Sequence, residues 1–338
     1  MIENCLIIGG EIAALRAAKD LAALGVPSTL VNLSKNLGEV SSLLQKDLPD
    51  NGTEEDIVQS YIVDLESDPL ITILNDVRIT NIVSGKYSFE IEIQHDGSAE
   101  KLTAQSVILA TGFEPFKASD LSAYGYSKLD GVLTVFDLEK ALQEGNPVID
   151  EKTERVMFIL CVGSRDIRAN PDCSAYCCNY SINQALRIKK AFPSLEVIVN
   201  YMDIRTVANQ EFLYNEARNS GVRFIRGRPS SLDAMGGKIF ANFEDTLADG
   251  KQVLEADLVI LAIGGMPSPD NDQFVSGFGI QLTPNKFIKV SEKPVKTSIH
   301  GIFACGSACE GVKHFQQCLA EGGAAAMAAV QFIEETKK

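Results

Sequence analysis

The feature that most constrains the fold is the stretch NCLIIGGEIAALRAAKDLAALGVPSTLVNL, residues 4–33. A short apolar strand leads into a glycine turn, and an alanine-rich helix then runs to Gly25 before a second apolar strand begins. Two parallel strands joined by a helix require this order of elements. The stretch therefore predicts a βαβ unit in which the N-terminus of the helix receives the phosphates of a dinucleotide.

The glycine turn departs from the usual dinucleotide-binding pattern. Gly9 can form the tight turn, whereas Glu11 stands where a second glycine would let a pyrophosphate approach the backbone. Ala14 replaces the third glycine, and Asn32 stands where a carboxylate at the end of the second strand would hold the ribose. We expect Glu11 either to bind the adenosine ribose or to face solvent or cap its own helix. A degenerate turn that binds nothing is a further alternative.

Three later segments extend this first domain. Residues 87–105 alternate between apolar and polar side chains and turn at Asp96-Gly97, which predicts a β-hairpin. The segment SVILATGFEPF is a strand that ends in Ala-Thr-Gly, and IHGIFACGSACEG leads near the end of the chain into a helix of small residues. In this order the segments resemble the two-dinucleotide flavoproteins of the thioredoxin and glutathione reductase type, in which the first site holds FAD.

The resemblance implies which residues hold the FAD. Ser307 stands where the family has an aspartate, and its hydroxyl can still form a hydrogen bond there. The expected contacts from this domain come from the glycine turn, the end of the second strand, the Ala-Thr-Gly turn and the closing segment: Gly9, Gly10, Glu11, Ala13, Ala14, Asn32, Leu33, Ser34, Ala110, Thr111, Gly112, Gly306, Ser307, Gln316, Gln317 and Cys318.

A second domain of the same design begins with RVMFILCVGSRD, but thiols occupy the place of its phosphate loop. Cysteines there would crowd a pyrophosphate, so we expect no nicotinamide site. The spacing C-x11-C-x3-C-C is neither the C-x2-C-x2-C run of ferredoxins nor the paired C-x2-C of zinc ribbons. Four thiolates suit zinc or a [4Fe–4S] cluster equally well. Reactive or buried thiols remain the alternative to a metal. The residues concerned are Cys161, Cys173, Cys177 and Cys178.

The motifs CVGSRD, CSAYCC, VNYMDIRT and GVRFIRGRP resemble the A-type subunit of heterodisulfide reductase and its relatives. This resemblance implies that the four cysteines bind a [4Fe–4S] cluster beside the FAD, so that electrons leave the flavin singly rather than as hydride. Asn183 stands where the family has a lysine near the reactive nitrogen of the flavin, which puts electron bifurcation in question. The chain also lacks the additional ferredoxin-like cysteine runs of the methanogenic members, as does the compact form in sulfur-oxidising complexes.

Charge and composition narrow the possible partners and the compartment. The net charge of −14 argues against nucleic acid and anionic lipid surfaces, because both bind basic proteins. No apolar run reaches the roughly 18 residues that span a bilayer, and the first residues do not read as a signal peptide. We therefore expect a cytoplasmic protein, without membrane insertion, in which metal or redox use of the eight cysteines is favoured over structural disulfides.

Together these features predict an α/β flavoprotein with two dinucleotide-binding domains. The FAD domain is expected at residues 1–118 and 270–338, and a Rossmann-like domain with the four-cysteine motif at 119–269. The expected function is that of a flavin and iron–sulfur electron-transfer subunit of a heterodisulfide-reductase-like complex in sulfur oxidation. We expect a homodimer with partner subunits of the B and C types. The alternatives are a stand-alone pyridine nucleotide–disulfide oxidoreductase and a non-catalytic scaffold with a degraded FAD site.

Overall fold

The computed structural model describes residues 4–43, 53–85, 88–146, 148–207, 210–248, 250–291 and 294–337. The chain divides into two compact units. It leaves the first unit, forms the second and then returns to complete the first. The first unit comprises residues 1–42, 48–114 and 267–338, and the second comprises residues 43–47 and 115–266.

Strands and helices alternate at the start of each unit, and a run of consecutive strands follows in each. The first stretch contains β1 (Cys5–Ile8), α1 (Ile12–Ala23), β2 (Ser28–Val31), α2 (Glu39–Leu43), α3 (Glu54–Glu66), β3 (Ile71–Leu74), β4 (Arg78–Ser84), β5 (Phe89–His95), β6 (Ser98–Ala104), β7 (Ser106–Leu109) and β8 (Phe113–Pro115). The middle stretch contains β9 (Val132–Thr134), α4 (Val135–Gln143), β10 (Arg155–Val162), α5 (Cys177–Ala191), β11 (Glu196–Tyr201), α6 (Glu211–Asn219), β12 (Arg223–Arg226), β13 (Ser231–Met235), β14 (Lys238–Asp245), β15 (Gly250–Ala256), β16 (Leu258–Ile263) and β17 (Gly265–Pro267). The last stretch contains α7 (Asn271–Phe278), β18 (Ile302–Ala304) and α8 (Phe315–Glu335).

The first unit is built on a parallel sheet with the strand order β18-β7-β1-β2-β3. Every residue of β1 and β7 is buried, as expected of central strands covered on both faces. Small residues on α1 and α8 let these two helices pack closely, and four alanines of α1 and three of α8 lie in one core with Leu15 and Phe332. This packing fixes the N-terminus of α1 at the carboxyl end of β1.

The predicted hairpin is confirmed. β5 and β6 pair antiparallel from Phe89 opposite Ala104 to His95 opposite Ser98, and β4 extends them to a three-stranded sheet. Asp96 and Gly97 connect the strands with φ of 49° and 77°, and such left-handed conformations favour Asp-Gly in a tight turn.

The second unit repeats the parallel design with the strand order β12-β11-β10-β16-β9. An antiparallel sheet, β13-β14-β15, is inserted before the return strand β16. β10 and β16 are apolar and almost wholly buried. The α/β architecture with two parallel sheets agrees with the sequence prediction. Within the described residues, no helix has the length and apolar character needed to cross a membrane.

Candidate functional site

The glycine turn of the first unit lies directly against its neighbours. Gly9 has φ of +132°, and a Cβ there would lie 2.0 Å from the carbonyl oxygen of Ala110. A Cβ at Gly10 would lie 2.3 Å from Oδ1 of Asn32. Both positions therefore require glycine, since any side chain would displace backbone or a buried amide. The turn thus brings together the predicted residues of β1, β2 and the Ala-Thr-Gly segment.

Asn32 is buried and bonded within the protein. Its Oδ1 accepts a hydrogen bond from the backbone N–H of Ser34 at 3.2 Å, and its Nδ2 donates to Oδ1 of Asn75 at 2.9 Å. Leu33 follows it and lines a cavity of about 510 Å³ with Asp76, Val77, Arg78, Ile79, Pro269, Asp270 and Gln273.

Glu11 makes contacts that the sequence did not predict. Its carboxylate accepts hydrogen bonds from the backbone N–H of Val40 at 2.9 Å, the backbone N–H of Ser41 at 3.0 Å and the Ser41 hydroxyl at 2.6 Å. Burial raises the pKa of Glu11, although these hydrogen bonds oppose the rise. The alternative that Glu11 caps its own helix is wrong, because α1 has no side-chain cap among the described residues. The carboxylate is bonded to Val40 and Ser41 although the residue is partly exposed, and the ribose contact stays a prediction.

The carboxyl-terminal segment packs onto α1. Gly306 has φ of +66°, and a Cβ there would lie 2.7 Å from Cβ of Ala13. The Ser307 hydroxyl accepts a hydrogen bond from the backbone N–H of Lys313 at 2.9 Å and lies 3.6 Å from the Cys318 thiol. The structure therefore brings Ala13, Gly306, Ser307 and Cys318 together, and their contact with a cofactor stays a prediction.

The other residues predicted for this site have mixed surroundings. Gln316 and Gln317 are exposed on the first turn of α8, where Gln317 donates from Nε2 to Oε1 of Glu321 at 3.0 Å. The Thr111 hydroxyl donates to Oδ1 of the buried Asn271 at 3.2 Å. Ala14 is fully buried, so it contributes packing of α1 and no exposed surface.

Sequence reasoning missed an ionic cluster at the start of α8. Nζ of Lys313 lies 2.6 Å from Oε2 of Glu321 and 3.2 Å from the thiol of Cys309. The same Glu321 oxygen accepts the backbone N–H of Gly306 at 3.0 Å. Burial raises the pKa of Cys309 to about 12. Burial acts to lower the pKa of Lys313, but the nearby Cys309 and Glu321 side chains outweigh it and raise that pKa. The sequence signal for this cluster was the single glutamate among the alanines and glycines of LAEGGAAA.

The glycine turn and the start of α1 fit a dinucleotide with one exception. The turn is tight, and α1 leaves its first backbone N–H groups without a side-chain cap in the described structure. Such N–H groups at a helix N-terminus are suitable partners for a pyrophosphate. The exception is Glu11, whose carboxylate would repel it.

The four cysteines of the second unit lie between β10 and α5. Cys161 is near the end of β10, Cys177 and Cys178 open α5, and Cys173 lies in the loop between them. Cys161 has φ of 62°, and two other non-glycine residues of the loop, Arg165 and Ala175, also have positive φ. Non-glycine residues hold such conformations only where their surroundings impose them, often at functional sites.

Three of the four thiols lie close enough to affect one another's ionisation. Cys177 contacts both Cys161 and Cys178, and these three side chains are buried. The hydrogen bond from Cys177 lowers the pKa of Cys161 to about 7, and the guanidinium groups of Arg165 and Arg228 act in the same direction. A thiol with a lowered pKa forms the thiolate more readily, and the thiolate is the form that binds metal or reacts as a nucleophile.

Arg205 connects the fourth thiol to this group. Its side chain contacts Cys173, which is only partly buried, and its backbone N–H contacts Cys178. All eight cysteines of the chain have free thiols.

The four thiols have the chemistry of ligands to a [4Fe–4S] cluster, but they are not arranged around a common metal position. Across the described residues, which include all four cysteines, no three Cys, His, Asp or Glu side chains are gathered as around one metal ion. A [4Fe–4S] cluster is bound by four separate thiolates, so its ligands need not converge on one point. The donor set fits such a cluster, although its thiol–thiol contacts would have to be exchanged for iron–sulfur bonds.

Asn183, the remaining predicted cofactor contact, lies on α5 and is 1% exposed. Both polar atoms of its amide lack a hydrogen-bond partner within the described part of the chain. An unpaired buried amide is costly, which points to a partner that the protein itself does not provide. Its contact with a cofactor stays a prediction.

The chain is similar to a protein family, to curated proteins and to solved structures. Residues 3–163 and 195–322 match the family described as pyridine nucleotide-disulphide oxidoreductase. The chain is 27% identical to the A-type iron–sulfur subunit of CoB–CoM heterodisulfide reductase from Methanocaldococcus jannaschii, over 96% of this chain and 64% of that protein. It is 32% identical to the A-type subunit of ferredoxin:CoB-CoM heterodisulfide reductase from Methanosarcina acetivorans, over 70% of this chain and 35% of that protein.

The chain thus spans less than two thirds of the length of these curated relatives. Among solved structures, the thioredoxin reductase of T. acidophilum aligns with a TM-score of 0.72 at 16% identity, covering 99% of both chains. The thioredoxin reductase of Lactococcus lactis aligns with a TM-score of 0.70 at 19% identity, covering 98% of this chain and 99% of that one. These two likenesses establish the fold.

Proposed function

Because the chain belongs to the pyridine nucleotide-disulphide oxidoreductase family, we propose that it is a flavin-dependent electron-transfer subunit that also carries an iron–sulfur cluster. The carrying observation is the group of four cysteines that stands where a nicotinamide-binding unit would have its phosphate loop. Its relatives named as iron–sulfur subunits of heterodisulfide reductase support the same proposal.

The proposed flavin site uses the residues that converge at the carboxyl end of the first parallel sheet. The N–H groups at the N-terminus of α1 would bind the pyrophosphate, and the glycine turn would let it approach. Glu321 fixes the Gly306 backbone, and Ser307 fixes that of Lys313, so the closing segment is held against the start of α8 before any cofactor binds. Preorganised backbone of this kind lowers the entropic cost of binding.

The proposed cluster ligands are Cys161, Cys173, Cys177 and Cys178. Arg165 and Arg228 favour the thiolate of Cys161, which is the form that binds iron. When bound, FAD can exchange electrons in pairs or singly, whereas a [4Fe–4S] cluster exchanges single electrons. Such a pair of cofactors would convert two-electron into one-electron transfer.

We further propose the biological setting that the resemblance implies. The protein would work in the cytoplasm in a heterodisulfide-reductase-like complex for sulfur oxidation, as a homodimer with B- and C-type partner subunits. The names of the relatives support a complex, because they are subunits of larger reductases. The net charge of −14 suits basic partner surfaces, towards which it would steer association.

The proposal is tested on protein purified without oxygen. We expect flavin absorbance together with a broad iron–sulfur absorbance, and about four iron and four sulfide per chain once reconstituted, as one [4Fe–4S] cluster requires. Protein that contains flavin and no iron would be consistent with the family's flavin chemistry and would contradict the proposed cluster. A colourless, folded protein that binds neither cofactor would support the scaffold alternative.

A further inference from the structure

The Glu11 side chain connects the glycine turn to the segment of residues 38–42, within the first unit. Its Cγ lies 3.3 Å from the position that a Cβ of Gly112 would take. Its two oxygens accept three hydrogen bonds from Val40 and Ser41. A backbone hydrogen bond of 2.8 Å from Gly38 to the Gly10 carbonyl joins the same two segments. Residues 38–42 are therefore fastened to the turn twice, once through a carboxylate.

This fastening uses the place and the kind of contact that a dinucleotide needs. A pyrophosphate reaches the N-terminus of α1 across the turn position that Glu11 occupies. A carboxylate and a pyrophosphate repel each other, and they accept hydrogen bonds from the same kinds of donor. The two anions cannot both occupy the space above the turn at low cost.

We propose that Glu11 is an internal competitor of the FAD pyrophosphate. In the flavin-free protein its carboxylate holds residues 38–42 against the glycine turn, and FAD binds after this carboxylate leaves Val40 and Ser41. Glu11 is thus a specificity-determining residue that weakens the affinity for nucleotides with a pyrophosphate and leaves the affinity for adenosine unchanged. The inference rests on the proposed flavin function. Burial raises the pKa of Glu11, as expected where the charged form is held at a cost.

The competing hypothesis, a hydrogen bond from Glu11 to the ribose, predicts the opposite. Adenosine contains the ribose without phosphates, whereas ADP adds the pyrophosphate. A ribose ligand strengthens the binding of both, whereas an internal competitor weakens only the binding of ADP and FAD. The two roles therefore separate on these probes.

The experiment measures the binding of FAD, ADP and adenosine to the flavin-free full chain by calorimetry. We expect Glu11→Gly to bind ADP and FAD at least tenfold more tightly than the unchanged protein, with adenosine within twofold. Glu11→Gln, which keeps the size and removes the charge, should bind ADP at least threefold more tightly. Glu39→Gln is the matched control, since this exposed carboxylate adds to the local charge without contacting the turn, and it should change each affinity less than twofold.

A second measurement, thermal unfolding of the flavin-free proteins, should show a lower midpoint for Glu11→Gly, because three hydrogen bonds are lost. Equal or weaker ADP binding by the folded variants overturns the inference and leaves the flavin function intact. A parallel loss of adenosine and ADP affinity assigns Glu11 to the ribose. If the unchanged protein and both variants are folded and none binds FAD or ADP, the proposed flavin function fails and the inference with it.

Discussion

The two units place different chemistry after the first strand of the same design. In the first unit β1 ends at Ile8 and α1 begins at Ile12, so only a tight turn separates them. In the second unit β10 ends at Val162 and α5 begins at Cys177, so a loop separates them. A tight turn presents backbone N–H groups, whereas the loop presents thiols and guanidinium groups. The comparison shows how one frame can supply a backbone site or a side-chain site.

Glycine has a different task in each turn. Gly9 is required because the Ala110 backbone occupies the space that its Cβ would take. In the second unit the ring of Phe116 lies 2.2 Å from the Cβ position of Gly163, so an aromatic side chain fills that space. The first turn is therefore packed against the backbone of a neighbouring segment, and the second is packed against an aromatic side chain.

The largest expected effect is on iron content. Cys177→Ser should remove most of the iron and sulfide while the flavin stays bound, because Cys177 contacts two other thiols and lies in the second unit. Chemical analysis of iron and sulfide, beside the flavin absorbance, checks this. Cys5→Ser is the matched control, since this buried thiol lies in β1 and its loss should leave the iron unchanged. Full iron content in single variants of all four cysteines would contradict the assignment.

The second prediction concerns nicotinamide nucleotides. NADH or NADPH alone should not bleach the flavin rapidly and stoichiometrically, because Cys161-Val162-Gly163-Ser164 replaces the second phosphate loop. Stopped-flow absorbance without oxygen measures this, with dithionite as the positive control for reducible flavin. Rapid bleaching by either nucleotide would instead favour a stand-alone pyridine nucleotide–disulfide oxidoreductase.

A third effect is on the stability of the first turn. Gly9→Ala should lower the free energy of unfolding by about 2–4 kcal/mol, because a left-handed conformation and a backbone clash add together. The control is Gly25→Ala. Gly25 also has positive φ, but apart from its chain neighbours no described heavy atom lies within 4 Å of the position that its Cβ would take. The control substitution should cost about 1 kcal/mol. Denaturant unfolding measures both, and equal losses would mean that the turn can relax away from Ala110.

The smallest expected effect is at Asn183. Asn183→Leu should stabilise the cofactor-free protein by about 1 kcal/mol, because both polar atoms of the amide are buried and unpaired in the described structure. The gain should disappear in the cofactor-loaded protein if a bound group pairs with the amide. Asn200→Leu is the control, because Asn200 donates to the Gly227 carbonyl at 3.1 Å and its loss should destabilise both forms. Destabilisation by Asn183→Leu in the cofactor-free protein would show that the amide is already paired.

The strand–turn–helix units and the hairpin could be predicted because their signals are local. β1, the glycine turn and α1 follow each other within twenty residues, and Asp96-Gly97 specifies its own turn. The partners of Glu11 could not be predicted, because Val40 and Ser41 lie about thirty residues later in the chain. The sequence predicted only that Glu11 would bind the adenosine ribose, face solvent or cap its own helix.

The same limit applies to the charged and sulfur-containing groups. The contact of Lys313 with Glu321 depends on how the loop before α8 folds back, which no periodicity reports. The spacing of the four cysteines identified a candidate metal site and left its metal open. Arg205 and Arg228 follow β11 and β12, far along the chain from Cys161, so the spacing of the cysteines does not report their effect on the thiols.

The uneven burial of the thiols has a consequence for oxidative damage. Seven of the eight cysteines are buried and Cys173 is partly exposed, so oxidants in solution should meet this sulfur first. In cluster-free protein, oxidation of Cys173 to its sulfenic acid would remove one ligand and leave the other three protected. The state of a single side chain would then decide whether damaged protein could be repaired and reloaded, and a single sulfenic-acid label at Cys173 would report how much oxygen a preparation had encountered.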